Sequence, residues 1–411
     1  MSDAGGKATN KSLGLAVLPP QLVAERFIPL MQEHLQRLHQ AYDHPNRVLH
    51  YDSVLVALLL AFFDPVARSL RVIEDASVDA TWTSHLPIEK VCKSTLADAL
   101  RQMAPAHLLP LIRQLQGRLP GIEHVDQDLA GLLKRIIAAD GSVFSVPADV
   151  AWAIATTRRN GKPGMQIRLN LQLDVLRFMP EALSVSGADE GQESAAFADE
   201  LLPDVIYLVD RGFVDFAFIH AVFDIGSNLV VRLKKDVIFH ATTHRPLTQA
   251  HTEAQVRSDT LGHVPGSRQA PGFADKLLRE VVVFDSKNNK LVRLLTDLLD
   301  VPAHIIGKLY RYRWLIETFF RWLKCVAKIE HLYSQDQQGI TMEFYVAVIG
   351  VLLTYINNGR RPSKYMNACL TWVASGQMTV QQMLVVLDKR DRERRLEKER
   401  LARKTAAKTN P

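Results

Sequence analysis

Apolar positions recur at helical spacing from about Pro20 to Leu133, then change to strand-like runs at about Lys134. HYDSVLVALLLAFFDPVARSLRVIEDAS, beginning at His50, reads as a buried helix, a break marked by Asp64 and Pro65, and a second helix. In KSTLADALRQMAP, Ser94 or Thr95 is expected to cap a helix carrying Leu96, Ala99, Leu100 and Met103. Beyond Lys134 the runs RIIAADGSVFSVP, MQIRLNLQLDVL and PEALSV read as three strands. AFADELLPD reads as a connecting helix, and VIYLVD and NLVVRLKK as further strands. This order predicts a mixed α/β sheet. The text from Lys235 to Phe273 is irregular, and LLREVVVF, SKNNK and LVRLLT form a hairpin candidate. One long amphipathic helix is expected over Ala303–Ile329, capped by Asp300 with Pro302 in its first turn. An apolar helix over Met342–Asn358, a shorter one over Val380–Leu387 and a mixed-charge tail complete the chain.

These patterns divide the chain into a loose tail (1–20), a helical N-terminal domain (21–133), an α/β catalytic domain (134–235 and 301–370), a β-rich insertion (236–300) and a basic helical tail (371–411). The apolar runs at 54–63 and 346–356 are too short to span a bilayer. Cys92, Cys325 and Cys369 lie far apart without a CxxC pair, which argues against a disulfide framework and a thiolate zinc site and fits a reducing, cytoplasmic compartment. The clustered His34, His39, His44 and His50 lack regular ligand spacing and Cys companions and read as a solvated helix–loop region, and the HxxxH pair His240 and His244 lacks a nearby third ligand and reads as surface residues rather than zinc ligands. The net charge of +6 suits a polyanionic partner such as nucleic acid. Much of it sits between Asp388 and Lys408, where ten Lys/Arg face five Asp/Glu.

The chemistry concentrates on the long helix. At about 100° per residue, Tyr310, Arg313, Glu317, Arg321 and Lys324 share a stripe roughly 80° wide, opposite Leu315, Ile316, Phe319 and Leu323. Glu317 is the only carboxylate between Asp300 and Glu330 and stands among six Lys/Arg. A lone carboxylate facing a polyanion is repelled unless a divalent cation lies between them. Two further acids stand out, Asp140 within the first strand and Asp210 at the end of VIYLV. Each alone is ordinary turn chemistry, as Asp140-Gly141 or Asp210-Arg-Gly. If their strands are neighbours, the two aspartates lie side by side, and the helix can bring Glu317 to them. Three carboxylates with no His or Cys form a hard oxygen site suited to Mg²⁺ or Mn²⁺. Two such ions could activate water or a 3′-hydroxyl at a phosphodiester, with the Arg and Lys holding DNA phosphates.

At these residues the chain resembles the DDE transposases of bacterial insertion sequences, in particular the insertion sequence 4 group. Their signature Y-x2-R-x3-E-x6-K is complete in Tyr310, Arg313, Glu317 and Lys324, and DGS at Asp140 and DRGF at Asp210 resemble the first and second acidic motifs. The resemblance implies a ribonuclease H-like core, with Asp140, Asp210 and Glu317 as catalytic ligands of Mg²⁺ or Mn²⁺, two ions in all. Tyr310, Arg313 and Lys324, with Arg321 beside them, would contact DNA. It also implies a homodimer that cuts terminal inverted repeats and transfers strands into target DNA, in the nucleoid of a bacterial cytoplasm. Some relatives stack a flipped base on a tryptophan of the insertion, but this chain has no Trp between Trp152 and Trp314. A non-catalytic or self-repressing DNA binder and a stand-alone nuclease on the same fold are the alternatives.

Overall fold

The computed structural model describes residues 28–41, 48–64, 67–78, 90–119, 135–146, 152–157, 163–187, 200–265, 275–286, 288–326 and 332–358, with isolated positions elsewhere. Two compact units emerge, one of Met1–Pro120, Cys325–Ser334 and Met342–Pro411, the other of Gly121–Lys324 and Gln335–Thr341. The tail at 1–20 lies outside the described residues, and Val380–Leu387 and the stretch after it lie largely outside them.

The first unit is helical wherever it forms regular structure among the described residues. Helices α1 (Gln32–Gln40), α2 (Tyr51–Phe63), α3 (Leu70–Ala76), α4 (Lys93–Gln102) and α5 (Leu109–Gly117) follow in order. Helix α2 is buried on every side from Val54 to Ala61, as its unbroken apolar run dictates. Ser69 caps α3 by accepting the Val72 N–H at 3.3 Å. Neither Ser94 nor Thr95 caps α4. That helix starts two residues earlier than a Ser94 cap would place it and three earlier than a Thr95 cap would, with Cys92 at the N-cap and no side-chain bond there. The ring of His39 stacks on His50 with centroids 4.0 Å apart, and His44 lies outside the described residues. The later helix over Gln337–Asn358 lies within this unit from Met342 on. There Gly350 admits the Phe62 ring, since a Cβ on it would stand 2.4 Å from Phe62 Cε1.

Glu343 on that helix accepts the backbone N–H groups of Tyr333, at 3.0 and 3.1 Å, and of Ser334, at 2.8 Å. Burial outweighs these donors and pushes the carboxyl up to about 8. The folded chain therefore holds a proton here that the unfolded chain releases near the ordinary value of 4.5. This contribution weakens as pH rises from that value through about 8. Glu343→Gln is expected to flatten this slope, read by urea unfolding at about pH 5 and about pH 9. An unchanged difference between the two would place the titration elsewhere.

The second unit is built on a ten-stranded sheet of order β2-β3-β1-β5-β6-β10-β9-β8-β7, with β4 also paired to β3. The strands are β1 (Arg135–Val146), β2 (Ile154–Thr157), β3 (Pro163–Asp174), β4 (Met179–Gly187), β5 (Val205–Val209), β6 (Asn228–Arg232), β7 (His240–His244), β8 (Val256–His263), β9 (Leu278–Asp285) and β10 (Lys290–Thr296). β1, β5 and β6 are parallel to one another, and the other pairings are antiparallel. All five residues of β5 are buried, as expected for a central parallel strand covered on both faces. On one face Ile137, Ala139, Tyr207, Val209, Leu229 and Val231 pack with Phe218, Ile219 and Val222 of helix α6 (Phe216–Asp224). Asp215 caps α6 by accepting the Ala217 N–H at 3.0 Å. The alternate residues Ile136, Ala138, Ile206, Leu208 and Val230 are equally buried and face the other way. On that face lies α8 (Ala303–Tyr312), where a Cβ on Gly307 would stand 3.1 Å from Val283 of β9. The result is a mixed α/β sheet with helices on both faces.

Four expectations change here. The irregular stretch after Lys235 contains β7, a short helix α7 (Gln249–Glu253) and β8, which continue the main sheet. Glu200–Asp204, read as the end of a connecting helix, are not helical. The long helix is two, α8 and α9 (Trp314–Val326), with Arg313 between them. The Arg313 N–H reaches Tyr310 O at 3.2 Å and the Ile316 N–H reaches Arg313 O at 3.1 Å, a tightened turn that needs neither Pro nor Gly. Asp300 does not cap α8, because Pro302 occupies the N-cap and no side chain bonds there.

Candidate active site

The register of the parallel strands builds the site. Ala138 pairs with Leu208, so two residues further on Asp140 stands level with Asp210. Val209 pairs with Val231, so one residue further on Asp210 stands level with Arg232. Three charged side chains thus form one row on the α8 face, at the carboxyl ends of β5 and β6 and midway along the longer β1, on the side of an open α/β sheet where ligands bind. Asp140 pairs with Leu171 inside the sheet and is not part of a hairpin turn. Arg232 did not stand out in the sequence, because its place in the row depends on β6 lying beside β5.

Helices α8 and α9 bring the signature residues over this row. Tyr310 donates its hydroxyl to Asp210 Oδ1 at 3.0 Å. Arg313 sits in the turn between the helices with its side chain only 12% exposed. Its Nη1 donates to Asp140 Oδ2 at 3.4 Å and its Nη2 to Glu317 Oε1. Arg232 Nη1 lies 3.9 Å from Asp210 Oδ1. All three predicted acids are therefore engaged by a small set of donors, with Arg313 between Asp140 and Glu317. The side chains of Arg321 and Lys324 lie outside the described residues. Trp314, the first residue of α9, is 55% exposed one turn before Glu317.

The charges support one another. Burial opposes ionisation of Asp210, but the Arg211 backbone N–H, the Arg313 guanidinium, the Tyr310 hydroxyl and Arg232 together hold its carboxyl below the ordinary value. Burial raises the Tyr310 phenol, which stays protonated as a donor. Burial disfavours the Arg313 cation, yet Tyr310, Asp210, Glu317 and Asp140 more than offset this and raise its pKa. The donor set is oxygen-only, as Mg²⁺ or Mn²⁺ requires. Among the described residues no three His, Cys, Asp or Glu stand close enough to hold a metal ion, and the cation between Asp140 and Glu317 is Arg313.

A family model described as "Transposase DDE domain" matches residues 131–353, more than half of the chain. The chain is 25% identical over 147 residues to a Geobacillus stearothermophilus protein named as a transposase for insertion sequence element IS5377, covering 35% of this chain and 37% of that protein. It is 22% identical over 234 residues to a Sinorhizobium fredii protein named as the transposase y4zB, covering 56% of this chain and 65% of that one. Both matches span less than two thirds of the relative's own length. A cryo-EM structure of a piggyBac transposase synaptic complex with hairpin DNA aligns over 91% of this chain and 82% of its own, at 11% identity and a TM-score of 0.39.

Proposed function

This chain belongs to the transposase DDE domain family, and from that premise we propose that it is a DNA transposase, cutting phosphodiesters at insertion-sequence ends and joining them to target DNA. The observation that carries the reading is the row of Asp140 and Asp210 on adjacent parallel strands, with Glu317 tied by Arg313 to the first of them. The strand order β3-β1-β5-β6 supports a ribonuclease H-like core, with the strands after β6 as the insertion. The complete Y-x2-R-x3-E-x6-K signature supports placement in the insertion sequence 4 group and action as a homodimer on paired ends.

Asp140, Asp210 and Glu317 would hold two Mg²⁺ or Mn²⁺ ions. When bound, these supply Lewis-acid activation of the attacking oxygen and charge stabilisation at the leaving one. The chain's own contribution is positioning. Tyr310 and Arg232 hold Asp210 ionised at the strand end, and Arg232, Arg313, Arg321 and Lys324 present cations to the phosphates of the cut strand. Trp314 adds a surface on which an unpaired base can stack, in place of the tryptophan that the insertion lacks.

The test is incubation of the purified chain with labelled duplex carrying the element's ends and Mg²⁺. Strand-specific nicks with free 3′-hydroxyls, followed by joined products, are expected. Nicks without joining would make it a stand-alone nuclease, and binding without nicks a self-repressing relative. Arg232→Ala is expected to lower the slope of log affinity against log salt by about 1, with little change in sequence preference. An unchanged slope would remove Arg232 from the phosphate contacts.

A further inference from the structure

Arg313 is committed twice. As a phosphate ligand it must offer its guanidinium to DNA, yet its two terminal nitrogens are spent on Asp140 Oδ2 and Glu317 Oε1. Those lone pairs are the ones a divalent ion would need. A guanidinium and a divalent cation repel strongly at such range in a largely buried site, so the two occupancies exclude each other. The guanidinium is also weakly hydrated and matches phosphate in a bidentate fork, so a phosphodiester is a competent rival for it. The position allows exchange, because Arg313 lies in the turn between α8 and α9 and its buried Nε has no hydrogen-bond partner. Asp210 need not move, since Tyr310 and Arg232 hold it independently.

We propose that Arg313 makes metal loading conditional on DNA, closing the carboxylate site in the free chain and opening it when a DNA phosphate draws the guanidinium away. This rests on the reading of the three acids as metal ligands. Free protein then binds divalent ions poorly and is guarded against hydrolysing stray strands with water before an end is seated. Linkage requires the effect to be reciprocal, so metal tightens DNA binding by the same factor that DNA tightens metal binding.

The experiment titrates Mn²⁺ into the full chain without DNA and follows free Mn²⁺ by electron paramagnetic resonance. It compares wild type, Arg313→Gln, Asp210→Asn and Arg313→Gln combined with Asp210→Asn. Arg313→Gln is expected to bind Mn²⁺ at least about tenfold more tightly than wild type, and the double variant to lose the gain. Mn²⁺ should also raise the melting temperature of Arg313→Gln more than that of wild type, which shows at once that the variant is folded and that the ion binds the folded form. Equal affinities in wild type and Arg313→Gln, both lost with Asp210→Asn, would overturn the exchange while keeping the acids as the metal site. Mn²⁺ binding indifferent to Asp210→Asn in every background would overturn the acid assignment and the exchange with it.

Discussion

Asp210→Asn is expected to reduce strand cleavage by more than about 10³-fold while DNA binding measured without divalent ions stays within a few-fold of wild type. The substitution keeps size and the bond from Tyr310 but removes the charge that sits between Asp140 and Arg232 in the strand row. Loss of several kcal/mol of charge stabilisation at the reacting phosphate is worth about three decades of rate. Binding is spared because a neutral amide repels phosphate less than the carboxylate does. The decisive assay pairs a gel measurement of nicking with a mobility-shift measurement of binding on the same duplex. Cleavage within tenfold of wild type would remove Asp210 from the centre and leave the acidic row as structural. Glu317→Gln is expected to behave alike. Because Glu317 is 49% exposed and held by Arg313 alone among the described contacts, its loss should disturb the fold least of the three.

How much of this was legible in the sequence depends on what each feature needed. The apolar run ending at Asp210 announces a buried strand with a charge at its tip, and only strand order was required to set Asp140 beside it. Arg232 needed one more strand in that order, and nothing local marks it off from the neighbouring Lys234 and Lys235. The break at Arg313 is invisible to periodicity, since both helices keep their apolar faces and no Pro or Gly punctuates the step. Yet it is this step that places the guanidinium between two acids. β7 was missed for a different reason. All five of its residues are exposed, so it lacks the alternation that marks a half-buried strand, and only its pairing with β8 identifies it. β1, β3 and β5 are marked by burial instead, on both faces as the unbroken apolar run of β5 or as alternation where one face is less covered.

Arg279 is the residue whose importance the sequence hid most, and Arg279→Ala is expected to cost the sheet unit about 3–5 kcal/mol. LLREVVVF reads as one strand of a hairpin and nothing in it marks the arginine as buried, but the Arg279 side chain is 1% exposed. Its Nε and Nη2 each donate to Asp259 at 2.7 Å, a bidentate pair between β9 and β8. Nη1 reaches the carbonyls of Leu298 at 3.0 Å and Leu299 at 3.2 Å, and that of Val301 as well. That segment leads straight into α8, which carries Tyr310. Truncation leaves Asp259 as a buried charge with Arg245 3.9 Å away and takes the Arg279 donor from the Leu298 and Val301 carbonyls, while Leu299 keeps Arg245 Nη1, so the penalty exceeds the worth of the pair itself. Replacing both partners, as Arg279→Met with Asp259→Leu, removes the uncompensated charge and should recover most of the loss in urea unfolding. The Leu298 and Val301 carbonyls remain without the Arg279 clamp in that double variant, with Arg245 still on Leu299, so its Tyr310 side chain should hold Asp210 less well. The readout is cleavage, expected to stay well below wild type after stability is restored. Full recovery of both would show that the pair only holds β8 to β9. Recovery of stability alone would make Arg279 the strut through which the strands after β6 set the helix over the acids.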